Sequence, residues 1–230
     1  PPPGDECPIC MLPLPTPTPK STGKTYYPCC GKIICNGCVH AANRADDRGL
    51  CPFCRTPPHT SNGELIERTK KRVAAGDAIA MRNLGCKYDH GSNGLRQNRN
   101  KGMKLWFRAG EHGDAVAYRN IGVLYNYGEG VERDLQKAKH YYELAAMGGD
   151  VYARHNLGCF EGNAGNIDRA VKHWVISVGA GYDDSLKGIR QLYLAGHVAK
   201  DEFEKALRAH KEAKDEMKSD QRNVAAEHDY

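Results

Sequence analysis

The chain has 230 residues, enough for one larger or two smaller domains. Charged residues make up 27% and hydrophobic ones 40%, a globular composition that excludes an intrinsically disordered chain. The net charge of +5 is a mild excess spread along the chain, with no clustered basic face to argue for nucleic acid, and no apolar run approaches the roughly 20 residues of a membrane helix.

The chain opens "PPPGDE" without a methionine. It reads as a piece of a longer protein, with an upstream targeting segment left open. Residues 1–58 are rich in Cys, Pro and Gly, and eight of the ten cysteines lie here: Cys7, Cys10, Cys29, Cys30, Cys35, Cys38, Cys51 and Cys54. Three C-x-x-C knuckles (Cys7–Cys10, Cys35–Cys38, Cys51–Cys54) have zinc-site spacing, because each brings two thiolates onto one metal. A disulfide framework is disfavoured by those paired knuckles, and no secretory signal is visible. A thioredoxin-like redox pair would need a βαβ pattern that is missing. The expected compartment is a reducing one, cytoplasm or nucleus. "LPLPTPTPKSTG" (Leu12–Gly23) is a Pro- and Thr-rich loop. The apolar content of 1–58 is too small for a self-sufficient core, so metal is expected to staple it.

Written out, the spacing is Cys7-x2-Cys10-x18-Cys29-Cys30-x4-Cys35-x2-Cys38-x12-Cys51-x2-Cys54, with "CPIC", "CGKIICNGC" and "GLCPFCR" as its phrases. This resembles a RING finger. The resemblance implies two interleaved zinc sites: Cys7, Cys10, Cys35 and Cys38 for one ion, and Cys29, Cys30, Cys51 and Cys54 for the other. The family commonly places a ligand histidine where this chain has Lys32. A lysine ammonium has no lone pair to offer. Adjacent Cys29 is the expected replacement, with His40 and, behind it, His59 as competitors. Closed four-thiolate sites are structural, so no hydrolysis at zinc is expected.

The resemblance further implies a ubiquitin ligase that docks a ubiquitin-charged conjugating enzyme without a covalent intermediate. Ile9 and Pro52 would be its apolar docking contacts, with Leu50 extending the patch. Arg55 would be the linchpin that hydrogen-bonds both ubiquitin and the conjugating enzyme, a task suited to the guanidinium fork. Many such domains carry a tryptophan near position 42, where this chain has Ala42. Residues 59–72 read as a linker, and Glu64–Arg72 suits either a rigid helix or a hinge.

From about Glu64 the grammar changes, and residues 73–212 read as helical repeats. No proline follows Pro58, and Ala, Gly, Leu, Tyr and Lys recur at helical spacing. Gly76-Asp77-Ala78, Gly113-Asp114-Ala115 and Gly149-Asp150-Val151 repeat at steps of 37 and 36, and nine residues on come Gly85, Gly122 and Gly158. Trp106 matches Tyr142 and Trp174 in the same register. Such a period signals a solenoid of helix pairs. Each repeated Asp is a good N-cap. A mid-helix glycine costs up to about 1 kcal/mol against alanine, so its repetition suggests close helix–helix approach. Four pairs are predicted: 77–90 with 100–111, 114–127 with 134–147, 150–161 with 166–179, and a degenerate 184–195 with 201–217.

The stretch "GDAVAYRNIGVLYNYGEGVERDLQKAKHYYELAAMGGD" (Gly113–Asp150) resembles the Sel1-like repeats, longer relatives of the tetratricopeptide repeat. That resemblance implies a concave surface for a protein or peptide, with Asn83, Tyr88, Asn120, Tyr125 and Asn156 as candidate lining residues. The asparagines serve equally well as structural hydrogen-bonders. Cys86 and Cys159 read as core cysteines. Residues 213–230 form a charged tail expected to fray.

The fold expected is therefore a small zinc-stabilised RING domain followed by an all-α solenoid of Sel1-like helix pairs. Two functions compete: a RING-type ubiquitin ligase whose repeats recruit the substrate, and a non-catalytic scaffold in which both domains only hold partners.

Overall fold

The computed structural model describes residues 6–15 and 23–228. Most of the Pro- and Thr-rich stretch expected as a loop therefore lies outside the described residues. The chain forms two compact units. One joins the residues up to Ala75 with those from Lys214 onward, and the other is Gly76–Ala213.

The first unit begins with a two-stranded antiparallel sheet, β1 (Lys24–Tyr27) and β2 (Lys32–Cys35), in the register Lys24↔Cys35 to Tyr27↔Lys32. Strand β2 runs directly into helix α1 (Asn36–Ala45), whose N-cap is Cys35. The apolar centre here is small: Ile34 is fully buried and clusters with Cys7, Cys35 and Cys38, flanked by Leu14, Tyr27 and Val39. Three of the four buried members are cysteines, which makes this core inseparable from thiol chemistry.

Helix α2 (Asn62–Ala74) occupies most of the expected linker, and Glu64–Arg72 is helical rather than a hinge. The reason is local. Ser61 Oγ accepts from the Glu64 N–H at 3.2 Å while the Glu64 carboxylate accepts from the Thr60 N–H at 2.8 Å, a reciprocal cap that satisfies two free donors.

The second unit is a stack of helix pairs: α3 (Ala78–His90) with α4 (Arg99–Glu111), α5 (Ala115–Tyr127) with α6 (Leu135–Met147), α7 (Val151–Asn163) with α8 (Ile167–Val178), and α9 (Asp183–Leu194) with α10 (Lys200–Glu216). These are the four predicted pairs, shifted by one or two residues at most ends. Asp77, Asp114 and Asp150 cap α3, α5 and α7 through their side chains. Asp114 and Asp150 also receive an arginine from the preceding repeat, Arg82 Nε at 2.8 Å and Arg119 Nε at 3.1 Å. One buried carboxylate thus starts its own helix and ties it to the previous repeat. In the fourth unit Tyr182 replaces the capping Asp and provides no side-chain cap, and His155, standing in the arginine register, pairs with Ser185 Oγ at 2.9 Å. This is the physical content of that unit's degeneracy.

The repeated mid-helix glycines meet the aromatics in matching register. A Cβ on Gly85 would lie 2.6 Å from the Trp106 ring, and one on Gly122 would lie 2.7 Å from the Tyr142 ring; Gly158 faces Trp174 in the same way. The indole N–H of Trp106 and that of Trp174 then reach the Arg82 and His155 carbonyls, both at 3.1 Å. Each glycine lets a large ring lie flat on the partner helix.

The C-terminal stretch differs from expectation. It is not a frayed tail over 220–228 but a helix, α11 (Asp220–His228), packed on α1 within the first unit. Ala225 is buried there, which offsets the low helix propensity of an isolated nine-residue segment.

Replacing Gly122 with alanine would gain helix propensity of up to about 1 kcal/mol but drive a methyl into the 2%-exposed Tyr142. Overpacking of this kind costs about 1–3 kcal/mol. Gly122→Ala is expected to lower the urea unfolding midpoint, and an unchanged or higher midpoint would show that the ring can retreat.

Candidate metal centre

Four segments of the first unit converge, and each is shaped by its own local geometry. The two "CP-x-C" knuckles are near copies. In the first, the Met11 N–H reaches the Cys7 carbonyl and the Cys7 N–H reaches Leu12, both at 2.9 Å; in the second, Arg55 reaches Cys51 and Cys51 reaches Thr56, again at 2.9 Å. Both turns close with a non-glycine residue in the left-handed region, Met11 at φ 58° and Arg55 at φ 61°. That conformation is uncommon for side-chain-bearing residues. Its recurrence after both knuckles marks a turn held by what the cysteines do.

The third segment is the hairpin tip between β1 and β2. The N–H groups of Cys30 and Gly31 both reach the Tyr27 carbonyl, at 3.3 and 2.8 Å, and Gly31 closes the turn at φ 74°. This tight turn carries Cys29 and Cys30 side by side, and both thiols reach the same group. The fourth is the start of α1, where Cys35 is the N-cap and Cys38 lies in the first turn; burial pushes both thiols up despite the positive end of the helix dipole.

These segments bring Cys7, Cys10, Cys35 and Cys38 into one group and Cys29, Cys30, Cys51 and Cys54 into another; within each, all Sγ atoms lie within 4.8 Å of one another. The sulfur separations are 3.8 Å for Cys10–Cys35, 3.8 Å for Cys30–Cys51 and 3.5 Å for Cys29–Cys54. Four sulfurs arranged tetrahedrally at about 2.3 Å from an ion lie about 3.8 Å apart. Both groups therefore fit a four-coordinate metal ion. Cys29 sits in the second group beside Cys30, and neither group includes His40 or His59. Lys32, in the register of the family's histidine, extends over the Phe53 ring at 5.5 Å.

The thiols report their crowding. Burial opposes ionisation of Cys7, but the backbone N–H groups of Cys10, Cys35 and Ile9 outweigh it and bring its pKa down to about 7. In the second group burial again opposes Cys54, and the Thr56 hydroxyl and N–H bring it down to about 6. Burial and the neighbouring thiols push Cys29 and Cys38 far up, and Cys30 up to about 11. Without a cation, each group thus favours one thiolate and resists the next.

Around the knuckles lie the expected docking residues. Ile9 is 43% exposed, and beside Pro52 the side chain of Phe53, which was not singled out in the sequence, is 47% exposed. Pro52 and Leu50 are half-buried. Arg55 is exposed, and its Nη2 pairs with Asp46 Oδ2 at 2.6 Å, a carboxylate that Arg48 also holds at 2.7 Å. Those contacts, led by the Arg48 hydrogen bonds, hold the Asp46 carboxyl well below the usual range.

In the helical unit the expected lining residues are half-buried and engaged inward. Asn83 accepts from Arg82 at 3.1 Å, Asn120 donates to Cys86 Sγ at 3.6 Å, and Asn156 hydrogen-bonds the Tyr142 hydroxyl. Tyr88 and Tyr125 each carry a lysine over the ring, Lys101 at 5.5 Å and Lys137 at 5.2 Å. Cys86 and Cys159 are half-buried, and burial pushes both thiols up.

Fold and site together define a helical-repeat protein joined to a cysteine-rich unit able to hold metal. Comparison with known proteins sharpens the repeat half: residues 78–114 and 115–150 match the Sel1 repeat. The chain is similar to a Sel1 repeat protein from Oxalobacter formigenes at 26% identity and a TM-score of 0.59, covering 67% of this chain and 64% of that one. It also shares the fold of a protective antigen of uropathogenic Escherichia coli strains displaying an SLR fold, at 20% identity and a TM-score of 0.57, covering 82% of this chain and 38% of that one. The chain thus spans less than two thirds of either protein. The Gly76–Ala213 unit is an all-α solenoid of helix pairs, of which residues 78–150 match the Sel1 repeat.

Native mass spectrometry is expected to find two metal ions per chain. Cys29→Ser is expected to leave one, and His40→Ala both; the reverse pattern would place His40 in the second group. Because loading displaces thiol protons, occupancy is expected to fall as pH is lowered.

Proposed function

We propose that the chain is a RING-type ubiquitin ligase that holds a zinc ion in each four-cysteine group, docks a ubiquitin-charged conjugating enzyme on its metal-binding unit and recruits a protein substrate through its Sel1 repeats. The observation that carries this reading is the interleaving of the groups. The first draws on residues 7–10 and 35–38, the second on 29–30 and 51–54, so each ion would clamp segments that the other group's segments separate. Sets of four thiolates with no open position suit zinc in a structural role. In reducing cytoplasm or nucleus such thiols stay available to metal.

On this reading catalysis is positioning: the thioester is held where a substrate lysine can attack it. Ile9 and Phe53 support a docking role, since exposed apolar side chains beside rigid turns suit a partner surface. Arg55 offers a fork of donors for two acceptors at once. Its pair with Asp46 is solvent-exposed and therefore weak enough to be exchanged on docking. The stacked helix pairs support the recruiting role, because solenoids present extended surfaces to protein partners.

A non-catalytic scaffold is the second reading, favoured by the arginine already engaged by Asp46 and by Ala42 in place of an aromatic. Autoubiquitination with a panel of conjugating enzymes separates the two. The ligase reading expects activity with at least one enzyme, depressed about tenfold or more by Ile9→Ala and by Arg55→Ala with metal content unchanged. No activity across the panel from zinc-loaded, folded protein would leave the scaffold.

A further inference from the structure

The first cysteine group has a neighbour 212 residues along the chain. Helix α11 packs on α1 within the first unit, and Arg222 sits at the contact, only 9% exposed. Its Nη2 donates to Cys10 Sγ at 3.7 Å and to the Leu12 carbonyl at 3.4 Å, and its Nη1 donates to the Met217 carbonyl at 2.9 Å. A second observation comes from the other side of the contact. A Cβ on Gly37 would lie 2.9 Å from the backbone nitrogen of Arg222. Gly37 stands between Cys35 and Cys38, so the bare backbone inside that knuckle is what admits α11.

A guanidinium stays charged at any physiological pH, and burying it is costly unless an opposite charge lies near. Among the described residues the side-chain partners of Arg222 are the sulfurs of Cys10 and Cys35 and backbone carbonyls, with no carboxylate. Four thiolates around a divalent ion carry a net charge of about −2, which is the missing counter-charge. Hydrogen bonds from outside the ligand set are a common means of holding such ligands in place.

We propose that Arg222 is an outer-sphere partner of the first metal group, offsetting the charge of its thiolates and donating to Cys10, and that α11 is thereby an integral part of the metal-binding unit. The inference rests on the zinc reading above but not on ligase activity.

The test follows zinc release from full-length protein with a chromogenic chelator. Cys30→Ser, lacking the second group, isolates release from the first. Arg222→Met keeps the length of the side chain and removes its charge. It is expected to speed release from the first group about tenfold or more while leaving the second unchanged, with Arg222→Lys in between. Ala225→Asp, which places a charge in the buried α11 contact while keeping Arg222, is expected to act in the same direction. Wild-type release rates from both groups in Arg222→Met would overturn this inference and leave the zinc reading standing. Equal acceleration at both groups would also overturn it, since a charge partner of one group leaves the other alone. Wild-type protein without zinc would overturn the zinc reading itself.

Discussion

Four thiols held within 4.8 Å of one another, twice over, are the constraint on which the first unit depends. Each further thiolate repels those already present, so full ionisation of a group requires a cation among them. The surrounding backbone is arranged for that event: twin knuckles closed by left-handed residues, a hairpin tip carrying adjacent cysteines, and a helix that begins on a cysteine. The apolar core is little more than Ile34 and its flanking residues, too small to hold these segments by burial alone. Metal binding and folding would therefore be one process here.

The helical unit solves the same problem by other means. Its ties run between neighbours rather than across the chain. A glycine on one helix receives the ring of its pair, and a buried aspartate caps one helix while gripping the arginine of the repeat before. Stability of this kind accumulates unit by unit, and where the Asp–Arg pattern decays, at Tyr182 and His155, ring contacts and the Ser185 hydrogen bond take its place.

The two docking arguments stand on different footings. Ile9 is exposed and Phe53, also exposed, carries only Lys32 over its ring, whereas Arg55 is paired with Asp46. A docking event would have to replace that contact, so Asp46 belongs to any account of what Arg55 does. In the repeats, Asn83, Asn120 and Asn156 are engaged by Arg82, Cys86 and Tyr142, which favours their structural role.

Much of this architecture was legible in the sequence because its determinants are local or periodic. Helix pairs follow from the 36–37-residue repeat, the Asp caps from their position before each apolar run, and the knuckles from C-x-x-C spacing. The Gly–aromatic contacts could be anticipated because both partners recur in register. Tertiary structure alone decided the remainder. For the second group the spacing already favoured Cys29, and folding brings it, rather than His40, beside Cys30, Cys51 and Cys54. Folding paired Arg55 with Asp46 and it turned a charged tail into a helix on the cysteine-rich unit. That last contact joins Gly37 to Arg222, and nothing in a short window of sequence connects residues so far apart. Periodicity and spacing record what a segment does with its neighbours; which distant segment it meets is settled by packing and by charge balance in three dimensions.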